Sequence, residues 1–243
     1  MQKKLVMLTA YDYPTAKIVD EIGIDYILVG DSLGMVVLGY PDTKSVTMAD
    51  MLHHLKAVVR GAKNTHIIAD MPINTYNNVK DAVKHARLFK KAGAHSVKIE
   101  GAQPEIITAI LNEGIPVMGH LGLLPQTAQT YKVQGKDQIQ AEQIYNDAKC
   151  LEKSGVIGIV LECIPASLAK QITENIKTPT IGIGAGIYCS GQVLVLHDII
   201  GLSDFQGKMI KKYIDSKELM RKALMEFKNE VLEGKFPTVK NSF

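Results

Sequence analysis

Short apolar runs in this 243-residue chain end, one after another, in a single hydrophilic residue. YILVG leads to Asp31, HIIA to Asp70, SVKI to Glu100, PVMG to His120 and GIVL to Glu162. A short apolar run bounded by turn residues has the pattern of a strand buried on both faces, as in a parallel sheet. In an α/β barrel the C-terminal ends of all strands meet at one mouth, where catalysis takes place. One spacing therefore constrains both the fold and its working end.

Strand-like runs fall at about 5–10, 26–30, 66–70, 96–100, 116–120, 158–162, 180–183 and 193–197. Helical stretches alternate with them at about 14–22, 48–61, 78–92, 104–113, 140–154 and 166–176, with a last one at 216–233. Val79, Ala82, Ala86 and Phe89 form one apolar stripe at helical spacing, and Ala141, Ile144, Ala148 and Leu151 form another. Gly23, Gly93, Gly114 and Gly155 each stand where a helix should end in a left-handed turn. The repeated βα unit predicts a (β/α)₈ TIM barrel, with residues 1–243 as a single catalytic domain carrying a C-terminal helix. A doubly wound open sheet is the alternative.

With 46% hydrophobic and 22% charged residues, the chain can bury a large core. The net charge is only +3, and the lysines are spread rather than gathered on one face, which argues against a nucleic-acid partner. No apolar run approaches the ~20 residues that span a bilayer, so no membrane partner is expected. The start, MQKKLVMLTAY, has no signal-peptide core. Three cysteines, an odd number without a CxxC pair, point to reduced thiols in a cytoplasmic setting rather than a disulfide framework or thiolate zinc site.

Strand side chains alternate between faces, so Lys98 and Glu100 should point into the barrel while Val97 and Ile99 meet the outer helices. An inward Lys–Glu pair is costly to desolvate without partners, which favours a functional role. Asp31, Asp70 and Glu100 bring three carboxylates from separate strands. Converging like charges call for a cation, and hard oxygen donors select Mg²⁺ or Mn²⁺. The plainer reading is that each acid caps the following helix or turn. His120 is open to two readings, a structural hydrogen-bonding imidazole or a rim residue of the site. A carboxylate held near apolar neighbours, such as Glu162, can have a raised pKa and act as a general base. GIGAG at 182–186 lacks the spacing of a phosphate loop, and its glycines also suit close packing at a strand end.

Several segments, in order along nearly the whole chain, resemble the ketopantoate hydroxymethyltransferases. They are TAYDYPTAK from Thr9, VGDSLGM from Val29, GYPDTKSVT from Gly39, ADMP from Ala69, VKIEG from Val97, GHLGLLPQ from Gly119, YKVQG from Tyr131, LEC from Leu161, GIGAG and GQVLVLHD. The resemblance implies a barrel of the phosphoenolpyruvate/pyruvate superfamily type. It implies transfer of a hydroxymethyl group from 5,10-methylenetetrahydrofolate to 3-methyl-2-oxobutanoate, by Mg²⁺-assisted enolate formation, giving 2-dehydropantoate on the route to pantothenate and coenzyme A. Carried over, Asp31, Asp70 and Glu100 match the metal-site acids. Asp31, Ser32, Asp70 and Lys98 match the ketoacid-binding positions, with His120 in the same pocket, and Glu162 matches the catalytic base. The resemblance also implies a homo-oligomer, typically a decamer. The chain departs from relatives in starting almost at its first strand, in a shorter stretch before Tyr131, and in Ser190 where an acid is common. Another Mg²⁺-dependent ketoacid carbon–carbon lyase of the same barrel type is the second enzymatic reading, and a non-catalytic ligand-binding barrel the third.

Overall fold

The computed structural model describes residues 3–243. Eight parallel strands close into a barrel in sequence order: β1 (Leu5–Thr9), β2 (Tyr26–Val29), β3 (His66–Asp70), β4 (Ser96–Glu100), β5 (Val117–Gly122), β6 (Gly158–Glu162), β7 (Thr180–Ile183) and β8 (Gly191–Leu194). The barrel closes where β1 pairs with β8, Leu5 opposite Gly191 and Leu8 opposite Leu194. This is the (β/α)₈ architecture the alternation predicts, and the open sheet is excluded. Helices α1 (Tyr13–Glu21), α2 (Leu33–Val36), α3 (Met48–Gly61), α4 (Val79–Ala92), α5 (Pro104–Asn112), α6 (Gln138–Ser154) and α7 (Ala166–Asn175) follow the strands.

Helix boundaries follow local chemistry. Asp12, Asn78 and Asp137 cap α1, α4 and α6 by accepting a backbone N–H three residues on. Thr47 and Asp50 exchange bonds in a capping box that starts α3. The four glycines predicted to end helices all have positive φ. Gly93 is the most constrained, at φ 105° with any Cβ 2.7 Å from Val59 Cγ1.

Alternation along the strands divides the core in two. Val97 and Ile99 belong to the large cluster between strands and helices, which includes Phe89 of α4. Met7, Leu28, Ile68, Met118, Val160, Ile181 and Val193 form a second cluster, one residue from every strand except β4. They fill the barrel interior, and β4 contributes Lys98 to that face instead. Asp70, His120 and Glu162 each lie two residues beyond a member of this layer, so they stand above it at the mouth.

One expectation needs correction. The eighth strand is Gly191–Leu194 rather than 193–197, because pairing with Leu5–Leu8 ends there. The residues from Leu196 turn into a short helix, α8 (Leu196–Ile199), and α2 had no periodic signal at all. Between β7 and β8 there is no helix. Ser190 instead bonds reciprocally with Thr180, its Oγ accepting from Thr180 N–H and its N–H donating to Thr180 Oγ1. Ser190 therefore sits at the start of β8, at the end of the strand away from the mouth.

The barrel lies within a compact unit, Met1–Val195, and Leu196–Phe243 form a second unit. The second contains α8, α9 (Ser216–Leu232) and a final 3₁₀ turn (Val239–Asn241). No residue of α9 is buried.

Candidate active site

At the mouth, Lys98 Nζ stands 2.9 Å from Asp70 Oδ1 with both side chains buried. Asp70 Oδ2 accepts from the backbone N–H of Asp31 at 3.2 Å. Asp31 is thus not at a strand terminus. It lies on the turn two residues after β2 and is drawn to Asp70 by its own main chain. Glu100 completes the set of acids, and all three, like Lys98, are between 3% and 6% exposed.

His120 faces Lys98 Nζ with its Nδ1 at 3.2 Å, and Glu162 Oε2 with its Nε2 at 3.2 Å. Burial, and then the Lys98 charge, lower the His120 pKa, so the ring is neutral. The ammonium can only donate, so Nδ1 accepts and Nε2 carries the proton toward Glu162. That second contact is off-axis, and Nε2 has no well-aligned acceptor. His120 Nδ1 is also 3.6 Å from Glu100 Oε1, too far for a hydrogen bond. Glu162, at 14% side-chain exposure, is the member of the group most open to the mouth. Its backbone is held by Leu123 N–H, which donates to Glu162 O at 2.9 Å. Gly122, at φ 93°, lets the chain pass this carbonyl, where a Cβ would lie 2.2 Å away.

The electrostatics follow from crowding. Burial and the neighbouring Asp70 charge push Asp31 up to about 7, against the weaker opposing effect of Lys98. Burial pushes Glu100 up to about 9, with Asp31 and Asp70 adding to it and Lys98 opposing. Burial disfavours the Lys98 charge, but Asp70, Glu100 and Asp31 outweigh it and hold the amine protonated well above its ordinary range.

The structure brings together Asp31, Asp70, Lys98, Glu100, His120 and Glu162. Ser32 joins through its Oγ, 2.7 Å from the hydroxyl of the buried Tyr11. Sequence reasoning did not single out Tyr11, Tyr76 or Gln126. Gln126, on the loop after β5, donates from Nε2 to Asp31 Oδ2 at 2.8 Å and to Met71 O at 2.9 Å. Its position inside GHLGLLPQ was the only signal.

Among the described residues, no three His, Cys, Asp or Glu side chains stand in ready metal-ligand geometry. Asp70 is engaged by Lys98 and Asp31 N–H, while Gln126 holds an oxygen each of Asp31 and Glu100. The donor chemistry fits Mg²⁺ all the same. Mg²⁺ takes one or two carboxylates and completes its shell with water and substrate oxygens, and this buried cluster offers three carboxyl groups beside one ammonium, crowded enough to raise the pKa of Asp31 and Glu100 until a cation joins them.

Residues 1–239 match the family model described as ketopantoate hydroxymethyltransferase. The chain belongs to the ketopantoate hydroxymethyltransferase family. A relative from Clostridium kluyveri, a 3-methyl-2-oxobutanoate hydroxymethyltransferase, is 54% identical over 99% of this chain and 89% of its own length. One of the same name from Thermoanaerobacter sp. (strain X514) is 52% identical over 99% of this chain and 91% of its own. Among solved structures, 2,3-dimethylmalate lyase, a PEP mutase/isocitrate lyase superfamily member, superposes with a TM-score of 0.65 at 15% identity, covering 98% of this chain and 88% of that one. Phosphonopyruvate hydrolase in complex with oxalate and Mg²⁺ gives a TM-score of 0.65 at 13% identity, covering 99% and 89%. At these identities the ketopantoate hydroxymethyltransferase chain shares the fold of both.

Proposed function

We propose that this chain transfers a hydroxymethyl group from 5,10-methylenetetrahydrofolate to 3-methyl-2-oxobutanoate, giving 2-dehydropantoate. The observation that carries this is the buried cluster of Asp31, Asp70, Lys98 and Glu100, beside the more open Glu162, in a chain matched to the family over residues 1–239.

A divalent cation, Mg²⁺ or Mn²⁺, held by Asp31, Asp70 and Glu100 would act as a Lewis acid, stabilising the charge that develops on the ketoacid oxygens. Lys98, kept protonated by the acids around it, adds a fixed positive charge to the pocket. Asp31, Ser32, Asp70, Lys98 and His120 bind the ketoacid. Glu162 removes the C3 proton, and the neutral His120 directs its Nε2–H to the carboxylate side of that transfer. Water opens the methylene bridge, releasing tetrahydrofolate and a formaldehyde-level one-carbon unit; the carbanion attacks that carbon, forming the new carbon–carbon bond, and its oxygen takes back the proton held by Glu162 to become the hydroxyl of the hydroxymethyl group.

Deuterium exchange at C3 of 3-methyl-2-oxobutanoate in D₂O, followed by NMR with and without Mg²⁺, tests the first half. Mg²⁺-dependent exchange is expected. Turnover that needs no reduced folate would favour a lyase, and ketoacid binding with neither exchange nor turnover would favour a non-catalytic barrel.

The same reading places the enzyme in the cytoplasm, in keeping with its three thiols, among which there is no disulfide. No helix among the described residues is long and apolar enough to cross a membrane. It also takes the chain as a homo-oligomer, a decamer by resemblance. The α9 face supports association with further copies of this chain: Leu219, Leu224, Phe227 and Leu232 are all more than half exposed. Native mass measurement checks this, and a monomer at all concentrations would refute it.

A further inference from the structure

Gln126 is 2% exposed, and every polar group it carries toward the site is used. Its Nε2 donates to Asp31 Oδ2 and to Met71 O. Its Oε1 accepts from the Tyr76 hydroxyl at 2.5 Å. Its backbone N–H donates to Glu100 Oε2 at 3.2 Å. The Tyr76 oxygen in turn lies 3.4 Å from Glu100 N–H, which donates to it. One residue on the loop after β5 thereby ties the turns after β2 and β3 to the end of β4.

The Met71 carbonyl removes an ambiguity. A carboxamide can present either oxygen or nitrogen to a neighbour, and a tyrosine hydroxyl suits both. Met71 O can only accept, so Nε2 faces it and Asp31 Oδ2, which leaves Oε1 to accept from the Tyr76 hydroxyl. Tyr76 thus holds the oxygen end of the amide, and the amide holds Asp31. Gln126 holds Asp31 and Glu100 each through a single oxygen, Oδ2 and Oε2, so each carboxyl group keeps a second oxygen outside these bonds.

We infer that Gln126, held by Tyr76, is a positioning residue that presets the Asp31 and Glu100 carboxylates for divalent-cation binding and so for ketoacid capture. The inference rests on the proposed metal-assisted reading of the site. Partners that orient the ligands of a metal change its affinity by about 10–100-fold when removed.

The test is calorimetric titration of Mg²⁺ into wild-type, Gln126→Ala, Tyr76→Phe and doubly substituted protein, alongside melting temperatures and C3 exchange. Gln126→Ala should weaken Mg²⁺ binding by about tenfold or more. Tyr76→Phe should weaken it less, and should add little once Gln126 is alanine, because Tyr76 acts mainly through the amide, its direct contact with Glu100 N–H being the long one at 3.4 Å. The KM for ketoacid should rise at limiting Mg²⁺ and recover at saturating Mg²⁺. A Gln126→Ala protein with a lower melting temperature but wild-type Mg²⁺ affinity would show a purely structural residue and overturn the inference. Additive effects of the two substitutions would overturn the relay through Tyr76. Wild-type protein that binds no Mg²⁺ would instead remove the metal-assisted reading, a failure visible before any variant is made.

Discussion

Lys98 Nζ lies 2.9 Å from Asp70 Oδ1 at a depth where both side chains are 6% exposed or less. Lys98 takes the place of an apolar residue of β4 in an otherwise hydrophobic barrel interior, so its partners must compensate its desolvation. Lys98→Met keeps the length of the side chain and removes the charge. It leaves Asp70, Asp31 and Glu100 without their shared ammonium and should cost about 3–5 kcal/mol. Urea unfolding without divalent cations measures this, and a loss under 1 kcal/mol would refute the claim that Asp70 depends on the Lys98 charge.

Glu162 is the carboxylate of the group most open to the mouth. Glu162→Gln preserves shape and removes the base. C3 exchange should fall by at least about 100-fold, while Mg²⁺-dependent ketoacid binding stays within a few-fold of wild type. Undiminished exchange would take Glu162 out of this role.

Gly122 holds φ 93° with Glu162 O where its Cβ would be. Gly122→Ala adds left-handed strain of about 1–2 kcal/mol to a clash with rigid backbone. Thermal denaturation should show the destabilisation, and exchange should fall with it because the Glu162 backbone must shift. An unchanged exchange rate would separate this turn from the position of Glu162.

Asp20, outside the site, joins the end of α1 to the chain before β3. Burial raises its pKa, but bonds from Lys63 N–H, Asn64 N–H, and both the N–H and hydroxyl of Thr65 outweigh it and hold it well below the ordinary range. A depressed native pKa stabilises the fold above the unfolded value of about 3.9, and this is lost as pH falls through the native one. Asp20→Asn should cost about 1–2 kcal/mol at neutral pH, allowing for its partial exposure. Its deficit should shrink in unfolding curves taken from pH 4 toward pH 2, and a deficit independent of pH would refute the account.

The strands of the first seven units were legible because a buried parallel strand must be apolar, and Asp70, Glu100 and Glu162 do end theirs, whereas Asp31 lies two residues past β2 and His120 two residues before the end of β5. β8 was misplaced by two residues because VLVL is apolar throughout. Only pairing with Leu5–Leu8 decides where the ladder stops. The acids were visible at or just past strand ends, but their pairing was not. Lys98 could have paired with its own strand's Glu100, and its 2.9 Å contact is with Asp70 on β3.

Gln126 was hidden for the same reason. It reaches Asp31 across 95 residues of sequence, and no local periodicity marks a loop amide whose partners come from the turns after β2 and β3 and the end of β4. The sequence by itself determined the order of elements, the alternation that sends Val97 outward and Lys98 inward, and the set of groups at the mouth, because these depend on neighbours along the chain. Which carboxylate pairs with the ammonium, which nitrogen of His120 carries its proton and which loop orients Asp31 were decided by barrel closure, which alone brings residues from different strands within hydrogen-bonding distance.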